Sequence, residues 1–196
     1  FNGTEEIIFS FLGLEPGKTL KHKSVCRRLS SAPPEWLDFE TLISGLYEQI
    51  ERNRSDRIPS RENWRTKRVT TLSDINSSPE VLLERAIAIL GEGQVLGEWF
   101  NQIPVASGLV DHRADGRAAI DLMRLDGDRV EFVELKWGSD TPAFAAFEIL
   151  LYGLAFLYCY INRDNLGYEN TSLMKVKEVS LQVLAPQAYF DGYDFT

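Results

Sequence analysis

The sequence predicts an α/β (α+β) fold, a mixed β-sheet flanked by helices, with an N-terminal helical extension. After residue 78 the apolar pattern changes in the order helix, strand, strand, strand, helix, strand. With 196 residues, 44% of them hydrophobic and 26% charged, the chain is typical of a soluble globular protein with one core, or a core plus a small accessory domain. We therefore divide it into an extension over residues 1–70 and a main domain over residues 71–196.

The N-terminal extension contains one clear helix signal. Residues 5–18 hold a short apolar run, helical or extended, which Pro16 and Gly17 end. Residues 32–53 predict an amphipathic helix, because Pro34 suits a first helical turn and apolar side chains recur at helical spacing. Those side chains are Trp36, Phe39, Ile43, Leu46, Tyr47 and Ile50.

The extension ends in a basic segment, residues 52–68, whose Pro59 argues against one continuous helix. Residues 1–70 hold 12 of the 21 Lys and Arg residues and 10 of the 29 acidic residues, so they are weakly basic. The whole chain has a formal net charge of −8, which repels phosphates at long range. The segment is therefore either a solvated linker or an arm that contacts nucleic-acid phosphates. The candidate contact residues are Arg61, Trp64, Arg65, Lys67 and Arg68.

The main domain begins with a predicted helix over residues 77–93. Three strands are expected within residues 98–108, 117–125 and 128–137. An Asp-Gly dipeptide at 126–127 predicts a tight turn, so the second and third strands should form an antiparallel hairpin.

The chain is expected to end with a long apolar helix over residues 139–164 and a strand over residues 177–186. The length of this helix raises the question of whether the protein spans a membrane. The helix is nearly long enough to span a bilayer. Glu148 inside the run and the absence of Lys and Arg clusters at its ends instead favour burial against the sheet, so no membrane is expected. Cys26 and Cys159 lack disulfide-framework or zinc spacing, and the first residues lack a signal-peptide pattern. We therefore expect a cytoplasmic protein.

Charged residues interrupt the second and third strands. Asp121 lies in the second strand, and Glu134 and Lys136 share one face of the third. The opposite face, which we expect to be core, carries Val133, Leu135 and Trp137. Hydrolysis of a phosphodiester requires a neutralised phosphate, an activated water and a stabilised leaving oxygen, and Mg²⁺ or Mn²⁺ held by carboxylates supplies all three. The hairpin can bring the two acids to one metal ion. The alternative is that all three side chains are solvated on its polar face.

Further ligands are available around this hairpin. The peptide carbonyl of Leu135 offers one, and Lys136 can orient a water or offset negative charge in the transition state. Glu84 places a carboxylate in the helix before the sheet, and Glu148 and Tyr152 share one face of the long helix. Taken singly, each of these residues is explained as an ordinary surface or core residue. Their joint arrangement favours a site.

This arrangement resembles the PD-(D/E)XK nuclease superfamily, whose core has the same order of helix, three strands, helix and strand. The superfamily carries an acid in the first helix, an Asp on the second strand and (E/D)-x-K on the third. In this chain those positions look like Glu84, Asp121 and Glu134-Leu135-Lys136. The resemblance implies a restriction-endonuclease-like core and leaves the extension unassigned.

The resemblance continues in the helix after the third strand. RecB-like and lambda-exonuclease-like members carry Gln-x-x-x-Tyr there, and this chain has Glu148 and Tyr152. Glu in place of Gln is a departure, and so is Ile120 where the superfamily's name places Pro before Asp121. What the resemblance implies is Mg²⁺-dependent hydrolysis of a nucleic acid, with DNA as the expected substrate.

The resemblance also implies a role for each site residue. Metal ligands would be Asp121, Glu134, the Leu135 carbonyl and Glu84; Lys136 would position the attacking water; and Glu148 and Tyr152 would support these groups or contact the substrate. A competing hypothesis is a nuclease-like module that binds DNA or a protein partner without cutting it. A homodimer would help a nuclease to cut two strands, and the sequence leaves that assembly open.

Overall fold

The computed structural model describes residues 1–14, 19–31, 38–54, 56–72, 78–92, 97–107, 109 and 118–194. Its elements are α1 (Thr4–Phe11), α2 (Lys23–Ser31), α3 (Phe39–Arg52), α4 (Pro79–Glu92), β1 (Glu98–Pro104), β2 (Ala119–Asp126), β3 (Arg129–Leu135), α5 (Pro142–Ile161), α6 (Arg163–Leu166), a 3-10 helix (Ser172–Lys175), β4 (Glu178–Leu184) and α7 (Gln187–Phe190). The order predicted from residue 78 onward is confirmed, with α6 and the 3-10 helix as short additions between α5 and β4.

The four strands form one mixed sheet in the order β1-β2-β3-β4. β1 and β2 are antiparallel, β2 and β3 are antiparallel, and β4 runs parallel to β3. Asp126 pairs with Arg129, so Gly127 and Asp128 form the two-residue turn of the predicted hairpin. Gly127 has φ 63, a left-handed conformation that glycine adopts without steric cost. The predicted mixed sheet flanked by helices is confirmed.

Helices cover both faces of β3, whereas the sequence pattern indicated a core on one face only. Phe132 belongs to the large hydrophobic cluster that includes residues of α5, and Val133 and Leu135 belong to a smaller cluster beneath α4. The expectation of a single core face was wrong because an interior strand between two helix layers buries side chains on each side. Trp137, which we assigned to the core face, lies beyond the end of β3 and is 52% exposed.

The N-terminal helices pack into the same core as the sheet. Ile8 of α1 and Leu42 and Leu46 of α3 lie in one hydrophobic cluster with Phe132. A boundary at residue 70 therefore does not separate two hydrophobic cores. The undecided first segment is helical, in α1.

Helix α3 begins later than its sequence pattern suggested. Asp38 is its N-cap and accepts hydrogen bonds from the backbone N–H groups of Glu40 and Thr41 at 3.1 and 3.2 Å. Phe39 and Ile43 are exposed rather than buried. The expected first turn at residues 34–36 lies outside the described residues.

Helix α5 lies between the N-terminal helices and the sheet. Thr141 caps it by accepting a hydrogen bond from the N–H of Phe144 at 3.2 Å. Within the part of the chain that the structure describes, α5 is the one helix long and apolar enough to cross a membrane by length and composition. Its residues Ile149, Ala155 and Phe156 are buried inside the protein, as in the core helix of a globular domain.

Candidate functional site

The β2–β3 hairpin brings Asp121 and Glu134 together. Leu122 pairs with Val133, and continuing this register places Asp121 opposite Glu134. Oδ2 of Asp121 accepts a hydrogen bond from the backbone N–H of Leu135 at 2.8 Å, which ties this carboxylate to the end of β3. The sequence-predicted pair of acids is therefore adjacent in the fold.

Lys136 follows the last residue of β3 and links the hairpin to α5. Its Nζ atom lies 2.8 Å from Oε1 of Glu134 and 2.8 Å from Oε2 of Glu148. The Tyr152 hydroxyl lies 3.4 Å from Oε1 of Glu148, one helical turn away. The structure thus assembles Asp121, Glu134, Lys136, Glu148 and Tyr152 into one group, which we call the acid cluster.

Glu84 reaches the same region from α4. Its side chain is 2% exposed, and its carboxylate accepts hydrogen bonds from Nδ2 of Asn101 at 2.6 Å and Nε2 of Gln102 at 2.8 Å. Its negative charge acts on Asp121 strongly enough to raise the pKa of that carboxyl. Glu84 is therefore a neighbour of the acid cluster held in place by two amides.

Asn101 and Gln102 are site residues that the sequence analysis missed. Asn101 is buried and binds the backbone of Val69 twice, through Val69 N–H to Oδ1 at 2.7 Å and through Nδ2 to the Val69 carbonyl at 2.9 Å. Gln102 has φ 53, an uncommon conformation for a residue with a side chain. It stands between the paired positions Asn101↔Leu122 and Ile103↔Ile120, beside Asp121. Two adjacent amides after the apolar pair Trp99 and Phe100 of β1 were the available signal.

Like charges and burial set the protonation of the acid cluster. Burial raises the pKa of Asp121, with Glu84 and Glu148 adding to the rise, while the Leu135 N–H and the Lys136 ammonium oppose it. Burial, Asp121 and Glu148 likewise raise the pKa of Glu134 despite its contact with Lys136. Burial also raises the pKa of Glu84, against the hydrogen bonds from its two amides.

Lys136 remains a cation in this setting. Burial lowers its pKa, but Glu134 and Glu148 raise it by a larger total, so the net shift is upward. The ammonium is therefore shared among Glu134, Glu148 and, at longer range, Asp121. One cation does not balance three carboxylates, so the cluster retains an excess of negative charge that a proton or a further cation would neutralise.

Two observations test whether a divalent metal fits this cluster. Oε2 of Glu134 is buried and lacks a hydrogen-bond partner, and the carboxylates of Asp121 and Glu134 are hard oxygen donors of the kind Mg²⁺ and Mn²⁺ prefer. Among the described residues, however, no three His, Cys, Asp or Glu side chains form a group that could hold a metal ion. The chemical type of the donors therefore suits such an ion, while the described side chains supply fewer than three ligands in one group and Lys136 contacts Oε1 of Glu134.

The basic segment divides into buried and exposed residues. Trp64 is fully buried, with its ring 5.3 Å from that of Phe156, so the expected contact between Trp64 and nucleic acid is wrong in this structure. Its position follows from the hydrogen bond that the backbone N–H of Trp64 donates to the Pro104 carbonyl, which holds the segment against β1. Arg68 donates to the Trp99 carbonyl at 2.7 Å.

The remaining cations of the segment are more accessible. Arg65 and Lys67 both lie near Glu62, at 2.8 and 3.5 Å, and Arg61 is exposed. Lys67 is 66% exposed, so its pairing with Glu62 leaves it open to a phosphate. These residues remain candidates for nucleic-acid contact.

Comparison of the chain with protein-family models, with curated proteins and with solved structures gave no match. The functional argument therefore rests on the geometry and chemistry of the acid cluster and its neighbours.

Proposed function

We propose that this protein is a Mg²⁺-dependent nuclease that hydrolyses phosphodiester bonds of a nucleic acid, with DNA as the expected substrate. The observation that carries the proposal is the meeting of Asp121 and Glu134 on an antiparallel hairpin with Lys136 at its end. A solvated polar face would leave these side chains apart and in water. Instead Glu134 is 4% exposed and sits among like charges, an arrangement whose cost is offset when a cation binds.

The sheet topology supports the same proposal. Two antiparallel strand pairs followed by a parallel β4, with α4 before the sheet and α5 between β3 and β4, is the element order of the restriction-endonuclease-like core. We propose that the fold belongs to that class. Glu84 on α4 and Glu148 and Tyr152 on α5 then lie on the elements where the PD-(D/E)XK resemblance expects them.

The proposed roles follow from the contacts. Asp121 and Glu134 would hold the metal ion, with Glu84 and the Leu135 carbonyl as further ligands. When bound, the metal would polarise the phosphate and activate water. The Lys136 ammonium donates two N–H groups to Glu134 and Glu148, and its third N–H would position the attacking water. Glu148 fixes Lys136, and Tyr152 contacts Glu148.

A second candidate function is a nuclease-like module that binds nucleic acid or a protein partner without cutting. The observation that favours it is the Lys136–Glu134 contact, which supplies the cluster with a cation of its own. In that case Glu148, in place of the superfamily's Gln, would hold Lys136 permanently and the site would take up no metal.

A cleavage assay on plasmid and single-stranded DNA, with Mg²⁺ and with EDTA, tests the proposed function. The informative variant is Asp121→Asn, and the matched control is Asp126→Asn, an exposed acid on the same strand. We expect Mg²⁺-dependent cutting by the wild type and the control and loss of cutting in Asp121→Asn with an unchanged melting profile. Equal cleavage by both variants would contradict the proposal, and a wild type that binds DNA without cutting it would favour the second candidate.

A further inference from the structure

A concave pocket adjoins the acid cluster on the side of α1. It has a volume of about 230 Å³, and its lining includes Ile8, Phe144, Phe147, Glu148, Leu151 and Tyr152. Glu148 and Tyr152 belong to the acid cluster as well, so the pocket and the cluster share a wall. The pocket thus lies beside the acid cluster, on the other side of two shared residues.

The walls of this pocket are apolar and rich in aromatic rings. Phe144 and Phe147 are half-buried side chains of α5, so parts of their rings remain accessible. Ile8, Leu20 and Leu151 add apolar surface, and the polar part of the lining includes Thr4 and two carboxylates, Glu5 and Glu148. A flat, apolar ligand with a polar edge matches such a lining, because its faces gain apolar contacts while its edge meets Glu148.

Two lysine ammonium groups lie near Phe144, a residue of the pocket wall. Nζ of Lys21 lies 4.2 Å from the centroid of the Phe144 ring, and Nζ of Lys136 lies 5.8 Å from the same centroid. Lys21 also pairs with Asp140 at 3.2 Å, and its side chain is 52% exposed. A ligand whose flat part enters the pocket and whose anionic part remains outside would meet the ammonium of Lys21, since the Lys136 side chain is 10% exposed and already bound by Glu134 and Glu148.

We propose that this pocket binds one unstacked nucleobase of a single-stranded or frayed nucleic acid, next to the phosphate that is cut. The inference rests on the proposed function and adds a substrate class to it. A base has a flat ring and carries phosphates on its sugar, which matches the aromatic walls and the exposed ammonium of Lys21 beside Phe144. The Glu148 carboxylate accepts hydrogen bonds only, so it favours bases with amino groups, such as adenine and cytosine, over thymine.

The test is the affinity of the whole protein for short single-stranded DNA in EDTA, measured by fluorescence anisotropy at low salt. One oligonucleotide carries adenine at a central position, a second carries thymine there, and a third carries an abasic site. We expect the adenine oligonucleotide to bind about tenfold more tightly than the abasic one, with thymine between them. A blunt duplex of the same sequence should bind more weakly than the adenine strand.

Two variants on α5 make the test specific. Leu151→Trp fills the pocket, and Leu157→Trp is the matched control, since Leu157 is exposed on the same helix and does not line the pocket. We expect Leu151→Trp to abolish the preference for adenine over the abasic site and Leu157→Trp to retain it. Phe147→Ala provides a second pocket variant if Leu151→Trp melts at a lower temperature than the control.

The outcomes distinguish a failure of the proposed base pocket from a failure of the proposed nuclease activity. Equal binding of the adenine and abasic strands by the wild type would overturn the base pocket, even if the protein cuts DNA. A retained preference in both pocket variants would overturn it as well. A clear preference that Leu151→Trp removes would support the pocket even if no cleavage were found, because the measurement requires no metal.

Discussion

Nζ of Lys136 lies 2.8 Å from Oε1 of Glu134, so the only cation in the acid cluster contacts its most buried carboxylate. The other oxygen of Glu134 is buried and lacks a hydrogen-bond partner in the structure. This carboxylate is therefore only half satisfied. We predict that a bound metal ion and Lys136 play different roles at this carboxylate, and a mutation of Lys136 separates them.

Lys136→Met should separate metal binding from catalysis. The substitution keeps the length of the side chain and removes one positive charge beside Glu134, so we expect the dissociation constant for Mn²⁺ to fall at least about tenfold. Cleavage should be lost, because nothing then positions the attacking water. Calorimetry and a cleavage assay measure the two effects. Lys177→Met, which removes an exposed lysine paired with Asp128, should change neither; weaker Mn²⁺ binding in Lys136→Met would argue against this assignment.

The metal-free protein should lose stability as the pH rises. Burial and neighbouring carboxylates raise the pKa of Glu134 to about 9, well above the value of an unfolded glutamate, near 4.3. Between these values the folded state binds more protons than the unfolded state, so the free energy of unfolding decreases with increasing pH. This decrease in the free energy of unfolding should be present across pH 5 to 8 in EDTA. Urea denaturation at several pH values measures it.

The control for this pH dependence is on the same strand. Glu134→Gln should reduce the slope of the profile, and the raised pKa of Asp121 accounts for what remains. Glu131→Gln, which removes a partly buried carboxylate paired with Arg124 and Arg129, should leave the slope unchanged. Saturating Mg²⁺ should flatten the wild-type profile too, since a bound cation removes the need for the proton. If the stability of the wild type instead rises with pH across this window, Glu134 is ionised in the folded state without a bound metal ion, which would contradict the prediction.

Asn101→Ala should destabilise the protein and displace Glu84. Asn101 donates to Glu84 and to the Val69 carbonyl and accepts from the Val69 N–H, so its loss leaves buried polar groups without partners. We expect the free energy of unfolding to fall by about 3 kcal/mol. Asn170→Ala, which removes an exposed amide, should cost much less. Chemical denaturation measures both, and equal losses would mean that the Asn101 contacts contribute little.

Substitution of Trp64 should change stability but not DNA binding, whereas substitution of Lys67 should change DNA binding but not stability. Trp64→Phe should lower the free energy of unfolding, by the order of 1–2 kcal/mol, because it leaves a cavity in the core. Its affinity for DNA should be unchanged. Lys67→Ala should leave stability unchanged, weaken DNA binding and reduce the salt dependence by about one unit of slope. Lys175→Ala, another exposed lysine, is the control for binding, and an equal effect of Lys67 and Lys175 would remove the segment from the interface.

The order of elements in the sheet was predictable because alternation, the Asp-Gly turn and helix-breaking residues are local signals. The pairing of Asp121 with Glu134 was predictable for the same reason, since hairpin register follows from the turn. The burial of Trp64 was not, because its basic neighbours dominate the local composition while its position depends on the distant Pro104 carbonyl. The amides of Asn101 and Gln102 were missed because they contact Glu84 only when α4 packs against β1.

The sequence also did not predict that the N-terminal helices belong to the same hydrophobic core as the sheet. Their apolar faces indicate that they pack, and only the tertiary structure shows that Ile8 and Leu46 pack with the sheet rather than with each other alone. The homodimer stays a prediction. At the β4 edge of the described sheet, Val179 and Leu181 remain partly exposed, and a second chain would cover them.

The most direct test of the central claim is calorimetric titration of Mn²⁺ into the wild-type protein and into Glu134→Gln, with Glu131→Gln as the control. We expect saturable binding of Mn²⁺ to the wild type and to the control, and a dissociation constant at least about tenfold higher for Glu134→Gln. Absence of binding to the wild type, or equal binding to all three proteins, would contradict a metal site at Asp121 and Glu134 and with it the proposed nuclease.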